Sequence, residues 1–267
     1  MSYVGSLALY VPGGQVPDTI SKCAACGTYS RGVDFDDPTI RPHFDVTSYT
    51  VPEVENHVRQ TRIGFLEYII DLASYHRNPI PPNPRVLDIG AAYGHLLDLC
   101  RERGASCTGI EIVGWLRDRL WERGYDAFQT VQEIPDDAVF DVITAIDSLY
   151  YVQQPADALK ELLHHLKPDG VLILRVANRT PVFNLLRALR RPITSDVFGD
   201  AKYNFSYRGI QRLLADTGYR IERVVLNEKG KKIATRTRWL YYKLSLLASH
   251  LTGLKLTPGI ILICRVE

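Results

Sequence analysis

Residues 85–113 of this chain combine two acids with a pair of glycines in a pattern that suits a nucleotide ligand. Asp88 precedes a turn that contains Gly90 and Gly94, and Glu111 follows a later apolar run. Glycine lets a backbone approach a ligand closely, and the first turn of a helix offers unpaired N–H groups to it. A carboxylate that ends a strand can accept hydrogen bonds from both hydroxyls of a ribose. The pattern therefore predicts a nucleotide-binding site.

The elements that would position these residues are predicted by the same stretch. An apolar run from Val86 to Ile89 predicts a strand, and Gly104 ends a helix before a second strand from Cys107 to Ile110. The helical spacing between them is carried by Leu96, Leu97, Leu99 and Cys100. The stretch is thus a βαβ unit with Glu111 at the carboxyl end of its second strand.

The spacing D-x-G-x-x-x-G resembles motif I of the class I S-adenosylmethionine (SAM)-dependent methyltransferases. Turns that bind a dinucleotide usually read G-x-G-x-x-G, with an apolar residue where Asp88 stands. The middle glycine of the methyltransferase motif is Ala92 here. For this segment taken alone, a dinucleotide site is the alternative.

The rest of the chain continues in the same family order, and the resemblance covers about residues 60–226. The matching segments are a third strand and turn (125–135), a fourth strand (140–152), a helix (155–170), a fifth strand (171–178), a helix and strand (207–226) and a final strand (259–266). The resemblance implies an α/β, Rossmann-like, doubly wound sheet of seven strands with the last strand antiparallel. An N-terminal cap and a helix inserted before the final strand would be added to it.

The resemblance also implies the cofactor, which is SAM, with S-adenosylhomocysteine as its product. Thr130 stands where the family often has an acid for the adenine amine, and Val131 offers its backbone N–H. The residues expected to bind the cofactor are Asp88, Gly90, Ala91, Gly94, Glu111, Ile112, Thr130, Val131 and Asp147.

Small-molecule members of the family frequently place a histidine just after the fourth strand, and Tyr151 occupies that position here. Tyrosine with a pKa near 10 is a poor base at neutral pH, but it can orient an acceptor by hydrogen bonding. Tyr150, Tyr151 and His95 are the candidate catalytic residues. For His95 and for His76, a second candidate base, helix capping or packing is the alternative role.

The sequence therefore predicts a methyltransferase that acts on a small molecule, with O-methylation favoured over N- or C-methylation and a place in secondary metabolism. Aromatic walls expected from Tyr203, Phe205 and Trp239 favour an apolar or aromatic acceptor. The alternative is a SAM-binding partner or regulatory subunit without catalysis, because the usual histidine is missing. No N/D-P-P-Y/F tetrad follows the fourth strand, which argues against nucleic acid as the acceptor.

The chain divides into an N-terminal, loop-rich cap at 1–50 and a methyltransferase domain at 51–267. Cys23 and Cys26 form half of a zinc knuckle, but zinc requires four ligands and only His43 and His57 could supplement the pair. We therefore expect no metal, with zinc that these cysteines share with the histidines or with a second copy across a dimer as the alternative. A helix is predicted over 53–75. The resemblance implies that such a helix packs over the cofactor, with Tyr49, Arg59 and Arg62 as candidate contacts; the alternative is that all three are surface residues on a packing helix.

Residues 227–258 are inserted where the family often has a short hairpin. Basic residues open the insertion, and a leucine stripe follows at helical spacing, which predicts a helix with one buried apolar face. The stripe consists of Leu240, Leu244, Leu247, Leu251 and Leu254. A lid or an interface in a homo-oligomer is the preferred role, and contact with a membrane surface is the alternative.

Composition agrees with a globular enzyme. The 267 residues are 46% hydrophobic and 23% charged, and the formal net charge of +2 gives no strong preference for nucleic acid. No stretch approaches the roughly 20 apolar residues that span a bilayer. The first residues lack a basic leader and a small-residue cleavage signal, so we expect a cytoplasmic protein.

Overall fold

The structure is a computed structural model that describes residues 1–11, 14–37, 52–77, 79–233 and 235–267. In chain order its strands are β1 (Ser2–Val11), β2 (Gly14–Lys22), β3 (Tyr29–Arg31), β4 (Arg85–Ile89), β5 (Ser106–Ile110), β6 (Asp126–Phe128), β7 (Phe140–Ile146), β8 (Leu166–Ala177), β9 (Tyr203–Asn204), β10 (Tyr219–Val225) and β11 (Gly259–Val266). Its helices are α1 (Pro52–His76), α2 (His95–Glu102), α3 (Gly114–Glu122), α4 (Pro155–His165), α5 (Thr180–Ala188), α6 (Ser195–Phe198), α7 (Tyr207–Asp216) and α8 (Arg236–Thr252). Single 3₁₀ turns lie at Val131–Glu133 and Leu149–Tyr151.

The main sheet has seven strands in the order β10-β11-β8-β7-β4-β5-β6. Strands β8, β7, β4, β5 and β6 are parallel, and β11 runs antiparallel to both of its neighbours. The predicted fold class is therefore confirmed, including the antiparallel last strand. The carboxyl ends of the parallel strands meet at one edge, where the loops after β4, β5, β6 and β7 come together.

Strand β8 shows why these apolar runs form the centre of the sheet. Successive side chains of a strand point to opposite faces. Leu172 and Leu174 pack in one buried cluster with residues of α4 and α7. Val171 and Ile173 pack in the other with residues of α1 and α2. Because helices cover both faces, the central run of the strand (171–174) is apolar at successive positions rather than at alternate ones.

A smaller sheet holds the amino-terminal residues, in the order β1-β2-β3-β9. Strands β1 and β2 pair along most of their length, so this region contains longer strands than the loops or short strands expected from its composition. Tyr29 and Ser30 of β3 pair with Asn204 and Tyr203 of β9. One of the two neighbours of β3 thus lies about 175 residues away along the chain, where local composition carries no signal.

Helix α8 is present where the insertion predicts a helix, but its predicted orientation is wrong. The leucine stripe is exposed, and the buried residues are Tyr242, Ser245 and Ser249. The Tyr242 hydroxyl accepts a hydrogen bond from the Glu228 N–H at 2.9 Å, which holds this side of the helix against the domain. Within the described ranges, no helix has both the length and the apolar character needed to cross a bilayer.

Candidate active site

The turn after β4 takes an unusual backbone path. Gly90, Ala92 and Gly94 have φ of 78°, 48° and 77°, a region that side chains rarely tolerate. The Gly90 and Ala91 N–H groups both donate to the Ile110 carbonyl, at 2.8 and 3.0 Å, which ties the turn to β5. A Cβ at Gly90 would lie 2.7 Å from the Ser148 Cβ. The glycine turn therefore lies directly against the turn that follows β7.

Glu111 lies at the carboxyl end of β5, buried beside this turn. Its Oε2 accepts the Ala92 N–H at 2.7 Å, and its Oε1 accepts the Val113 N–H at 2.9 Å. Burial raises the pKa of Glu111, and the hydrogen bonds oppose that rise. Each carboxylate oxygen has a second acceptor position, so the group can hold the loop and still bind two ribose hydroxyls.

Asp88 lies beneath the glycine turn and is buried. Its Oδ1 accepts a hydrogen bond from the Thr144 hydroxyl of β7 at 2.6 Å. Burial raises the pKa of Asp88 to about 6, with a further contribution from the charge of Glu111. The two acids that the pattern singles out are thus electrostatically coupled.

This raised pKa predicts a pH-dependent effect of Asp88→Asn on stability. A carboxyl that binds its proton more tightly in the folded state costs stability as pH rises from its unfolded pKa of about 4 to about 6. Two pKa units correspond to about 3 kcal/mol, and asparagine avoids that cost while keeping an oxygen for Thr144. Between about pH 4 and 7, the free energy of unfolding of the variant relative to wild type should therefore rise by about 3 kcal/mol.

Urea unfolding at a series of pH values measures this difference. Asp118→Asn is the matched control, because Asp118 is exposed on α3 and water solvates it in both states. A difference between Asp88→Asn and wild type that stays constant across this pH range would contradict the prediction.

Three buried polar atoms around the glycine turn have no hydrogen-bond partner within the described part of the chain. They are His95 Nε2, Trp115 Nε1 and Ser148 Oγ. His95 stacks on Tyr93 with ring centroids 5.7 Å apart, and burial lowers its pKa, so its imidazole is neutral at physiological pH. Buried polar groups are normally satisfied, so unsatisfied ones near one turn fit a polar ligand such as SAM.

Three of the other expected cofactor contacts, Ile112, Thr130 and Val131, follow β5 and β6 at the same edge. Ile112, directly after Glu111, exposes its side chain, which offers apolar surface to a flat base. Thr130 has extended backbone and precedes the 3₁₀ turn at Val131, whose side chain is buried. The structure therefore collects the residues expected around the adenine at the edge that holds Glu111.

Asp147 takes a left-handed conformation, with φ of 62°, directly after β7. Its carboxylate forms an ion pair with Arg175 of β8, and Arg175 Nε donates to Glu228 Oε1 at 2.6 Å. Lys231 Nζ pairs with Glu228 Oε2 at 3.0 Å. Burial acts to raise the pKa of Asp147, but the Arg175 charge outweighs it and holds this pKa below its usual range.

This buried ion network (Asp147, Arg175, Glu228 and Lys231) is a feature that sequence reasoning missed. Its members lie in three separate segments, so no local spacing marks them. The available signal was Arg175, because it is the one charged residue in the sequence run 171–176, whose other residues are apolar. A buried charge of that kind requires partners from elsewhere in the fold.

The candidate catalytic tyrosines form the 3₁₀ turn that follows Ser148. The rings of Tyr150 and Tyr151 lie 4.8 Å apart, and burial raises the pKa of Tyr150. The Tyr203 hydroxyl of β9 donates a hydrogen bond to the Gln153 carbonyl at 2.9 Å. This bond holds β9 against the segment that follows the turn of Tyr150 and Tyr151. Phe205, expected as a pocket wall, is buried in the core instead.

Helix α1 contributes charge to the same edge. Arg59 acts electrostatically on His95, and Arg62 on Asp147. Tyr49, the third expected contact of this segment, lies outside the described residues. His76 does not reach the site, because it ends α1 at the opposite edge of the sheet, where its Nδ1 contacts Glu222 Oε1 at 2.8 Å. The expectation that His76 could act as a base is therefore wrong.

Cys23 and Cys26, the predicted half of a zinc knuckle, lie in a tight turn. The Gly27 N–H donates to the Cys23 carbonyl at 2.8 Å, and hydrogen bonds from Cys26 and Ala25 lower the pKa of Cys23. Among the described residues, no group of three or more His, Cys, Asp or Glu side chains could hold a metal ion. His43 lies outside the described residues, so the expectation of a metal-free knuckle stays a prediction.

An apolar cavity of about 570 Å³ lies elsewhere, between α1 and the sheet. Its walls come from α1, from the proline-rich segment before β4 and from α2, and include Ile69, Pro82 and Cys100. The carboxyl ends of β5 and β6 do not contribute to this cavity. The candidate site is therefore the glycine turn, where Glu111 and the polar atoms that lack a partner in the described residues lie.

Comparison with known proteins agrees with this geometry. A family model described as "Methyltransferase domain" matches residues 59–224, more than half of the chain. A ubiquinone biosynthesis O-methyltransferase from Xanthomonas axonopodis pv. citri is 34% identical over 110 residues, which cover 38% of this chain and 46% of that protein. The protein of the same name from Rickettsia typhi is 25% identical over 132 residues, 47% of this chain and 51% of that one. The chain spans about half the length of the curated relatives it matches.

Solved structures show the same fold at low identity. Magnesium protoporphyrin IX methyltransferase from Synechocystis PCC 6803 with bound S-adenosylhomocysteine superposes with a TM-score of 0.56 at 16% identity, covering 87% of this chain and all of that one. A SAM-dependent methyltransferase from Clostridium acetobutylicum gives a TM-score of 0.54 at 14% identity, covering 80% and 98% of the two chains. With the sheet order, the glycine turn and the matched domain together, the chain belongs to the class I SAM-dependent methyltransferase family.

Proposed function

We propose that this chain transfers the methyl group of SAM to an oxygen atom of a small, apolar or ring-bearing molecule. The observation that carries the proposal is the close approach of the glycine turn to Ser148. Because Ser148 directly precedes the tyrosine turn (Leu149–Tyr151), Tyr150 and Tyr151 lie beside the glycine turn that would bind the cofactor. The name of the curated relatives, ubiquinone biosynthesis O-methyltransferase, supports oxygen as the acceptor atom. The low net charge supports a small molecule rather than nucleic acid as the acceptor. Because the enzyme would depend on a supply of SAM, we propose that it acts in the cytoplasm.

The residues of this chain would divide the work of binding between two turns. Glu111 and the backbone of the glycine turn would hold the nucleoside, and Asp88 would support that turn from below. SAM supplies an electrophilic methyl group bonded to a positively charged sulfur. The enzyme must then align the acceptor oxygen with that methyl group, and such positioning supplies several kcal/mol of the rate enhancement.

The tyrosine turn would perform this alignment. Because burial raises the pKa of Tyr150, its phenol is neutral at physiological pH and can hydrogen-bond or stack but cannot act as a base. Tyr151 would orient the acceptor by a hydrogen bond. His95 is the candidate proton acceptor, since its neutral imidazole has an unpartnered Nε2 within the described residues.

Tyr151→Phe tests the orienting role. The variant keeps the ring and loses only the hydroxyl, so turnover should fall by about 10- to 100-fold while SAM affinity stays nearly unchanged. Methyl transfer from isotopically labelled SAM to a panel of phenols, alcohols and amines measures turnover, and mass spectrometry of the products locates the methyl group. Tyr75→Phe on the exposed side of α1 is the matched control.

Three outcomes would contradict the proposal. Equal losses of SAM affinity and turnover would place Tyr151 against the cofactor rather than the acceptor. Methylation of amines alone would exclude oxygen as the acceptor. Intact SAM binding without transfer to any acceptor would instead favour the SAM-binding partner without catalysis.

A further inference from the structure

Helix α8 attaches to the domain through its polar side. Besides its bond from the Glu228 N–H, the Tyr242 hydroxyl lies 2.9 Å from Asn227 Oδ1. Ser249 Oγ accepts the Leu256 N–H at 3.0 Å, which fastens the end of the helix. Small and polar residues therefore form the buried side, and the apolar side of the helix is left outside.

The outward side of α8 is an apolar stripe, which we call the leucine face (Leu240, Leu244, Leu247 and Leu251, with Leu254 just after the end of the helix). Each of these leucines exposes between 52% and 79% of its surface. The spacing of four, three and four residues keeps the first four of them on one side of the helix. Trp239 and Tyr241 are exposed next to this face. A contiguous exposed apolar patch of this kind marks an interaction surface.

The charge of the segment selects the kind of partner. Residues 229–256 contain seven Lys and Arg residues and no Asp or Glu. Arg236 and Lys243 lie on α8 itself and are exposed. Helix α5 and the residues that flank it have the same character, with exposed Leu185 and Leu189 and no acid from 179 to 195. The partner must therefore be apolar within and negatively charged at its surface.

We propose that the leucine face inserts into the surface of an anionic lipid bilayer, with α8 lying in the plane of the membrane. An exposed apolar stripe flanked by basic and aromatic residues is the pattern of an interfacial helix. A second copy of this chain fits less well, because two copies meeting through this face would oppose their basic residues. An anionic bilayer satisfies both the leucines and the charges.

Sedimentation of the full chain with lipid vesicles tests this docking. Binding is expected to vesicles that contain phosphatidylglycerol and not to vesicles of phosphatidylcholine alone. It should weaken strongly between about 0.1 and 1 M salt, where the Debye length falls from about 10 to 3 Å. Equal binding to both vesicle types, or binding to neither, would overturn the proposal.

The paired substitution Leu244→Glu and Leu247→Glu tests the face itself. It should weaken binding to the anionic vesicles by about 100-fold or more, since two inserted side chains become charged. SAM affinity and the urea midpoint should stay unchanged, which separates this result from a failure of the proposed function. Tyr75→Glu, at an exposed position on α1 away from the leucine face, is the matched control and should bind as wild type does.

Light scattering of the same proteins tests whether a second copy of this chain, rather than a membrane, covers the leucine face. Wild type is expected to stay monomeric in the absence of lipid. A dimer that the paired substitution dissociates, together with no vesicle binding, would overturn the proposal in favour of a second copy on the leucine face.

Discussion

Glu111→Ala is expected to weaken SAM binding by about 2–4 kcal/mol, because the ribose hydroxyls lose a charged acceptor. This corresponds to a loss of affinity of about 30- to 700-fold. The structure adds a second cause, since the same carboxylate holds the N–H groups of Ala92 and Val113. Alanine at position 111 would therefore loosen the segments around Ala92 and Val113 as well as remove the contact to the ligand.

Titration calorimetry measures the affinity, and urea unfolding of the same protein separates binding from loop stability. Glu122→Ala on the exposed side of α3 is the matched control and should change neither quantity appreciably. Unchanged SAM affinity in Glu111→Ala would refute the assignment of the ribose contact.

Arg175→Met is expected to destabilise the fold by about 3–5 kcal/mol, because it leaves the buried carboxylates of Asp147 and Glu228 without their shared partner. That is a large part of the total stability of a typical domain. The loss should shrink at lower pH, since protonation removes the unpaired negative charges. Lys231 still contacts Glu228, so Asp147 is the carboxylate most affected.

Urea unfolding at two pH values measures this loss. Arg212→Met is the matched control, because it breaks an exposed pair with Asp216 that contributes about 0–1 kcal/mol. Replacing Asp147 and Glu228 by Asn and Gln in the Arg175→Met background should recover much of the stability, since no buried carboxylate is then left unpaired and the partly exposed Lys231 can be solvated. A loss below about 1 kcal/mol in Arg175→Met would show that the network is not important for stability.

The sequence by itself determined the sheet and the cofactor edge. Apolar runs at β4, β7 and β8 indicate parallel strands because such strands are buried on both faces. Asp88, Gly90, Gly94 and Glu111 lie together because one βαβ unit brings them to the carboxyl ends of adjacent strands. Both features depend on short-range order along the chain, which a single sequence displays directly.

Only the tertiary structure decided how distant segments meet. Asp147, Arg175 and Glu228 become partners because β7, β8 and the start of the insertion converge, and nothing in their spacing shows this. The leucine stripe of α8 was visible in the sequence, but periodicity defines a face without saying which way it points. That direction was set by Tyr242 and Ser249, whose polar contacts hold the opposite side of the helix against the domain. Hydrogen bonds to buried backbone groups are specific to position, whereas apolar attraction is not, so the polar side determined the orientation.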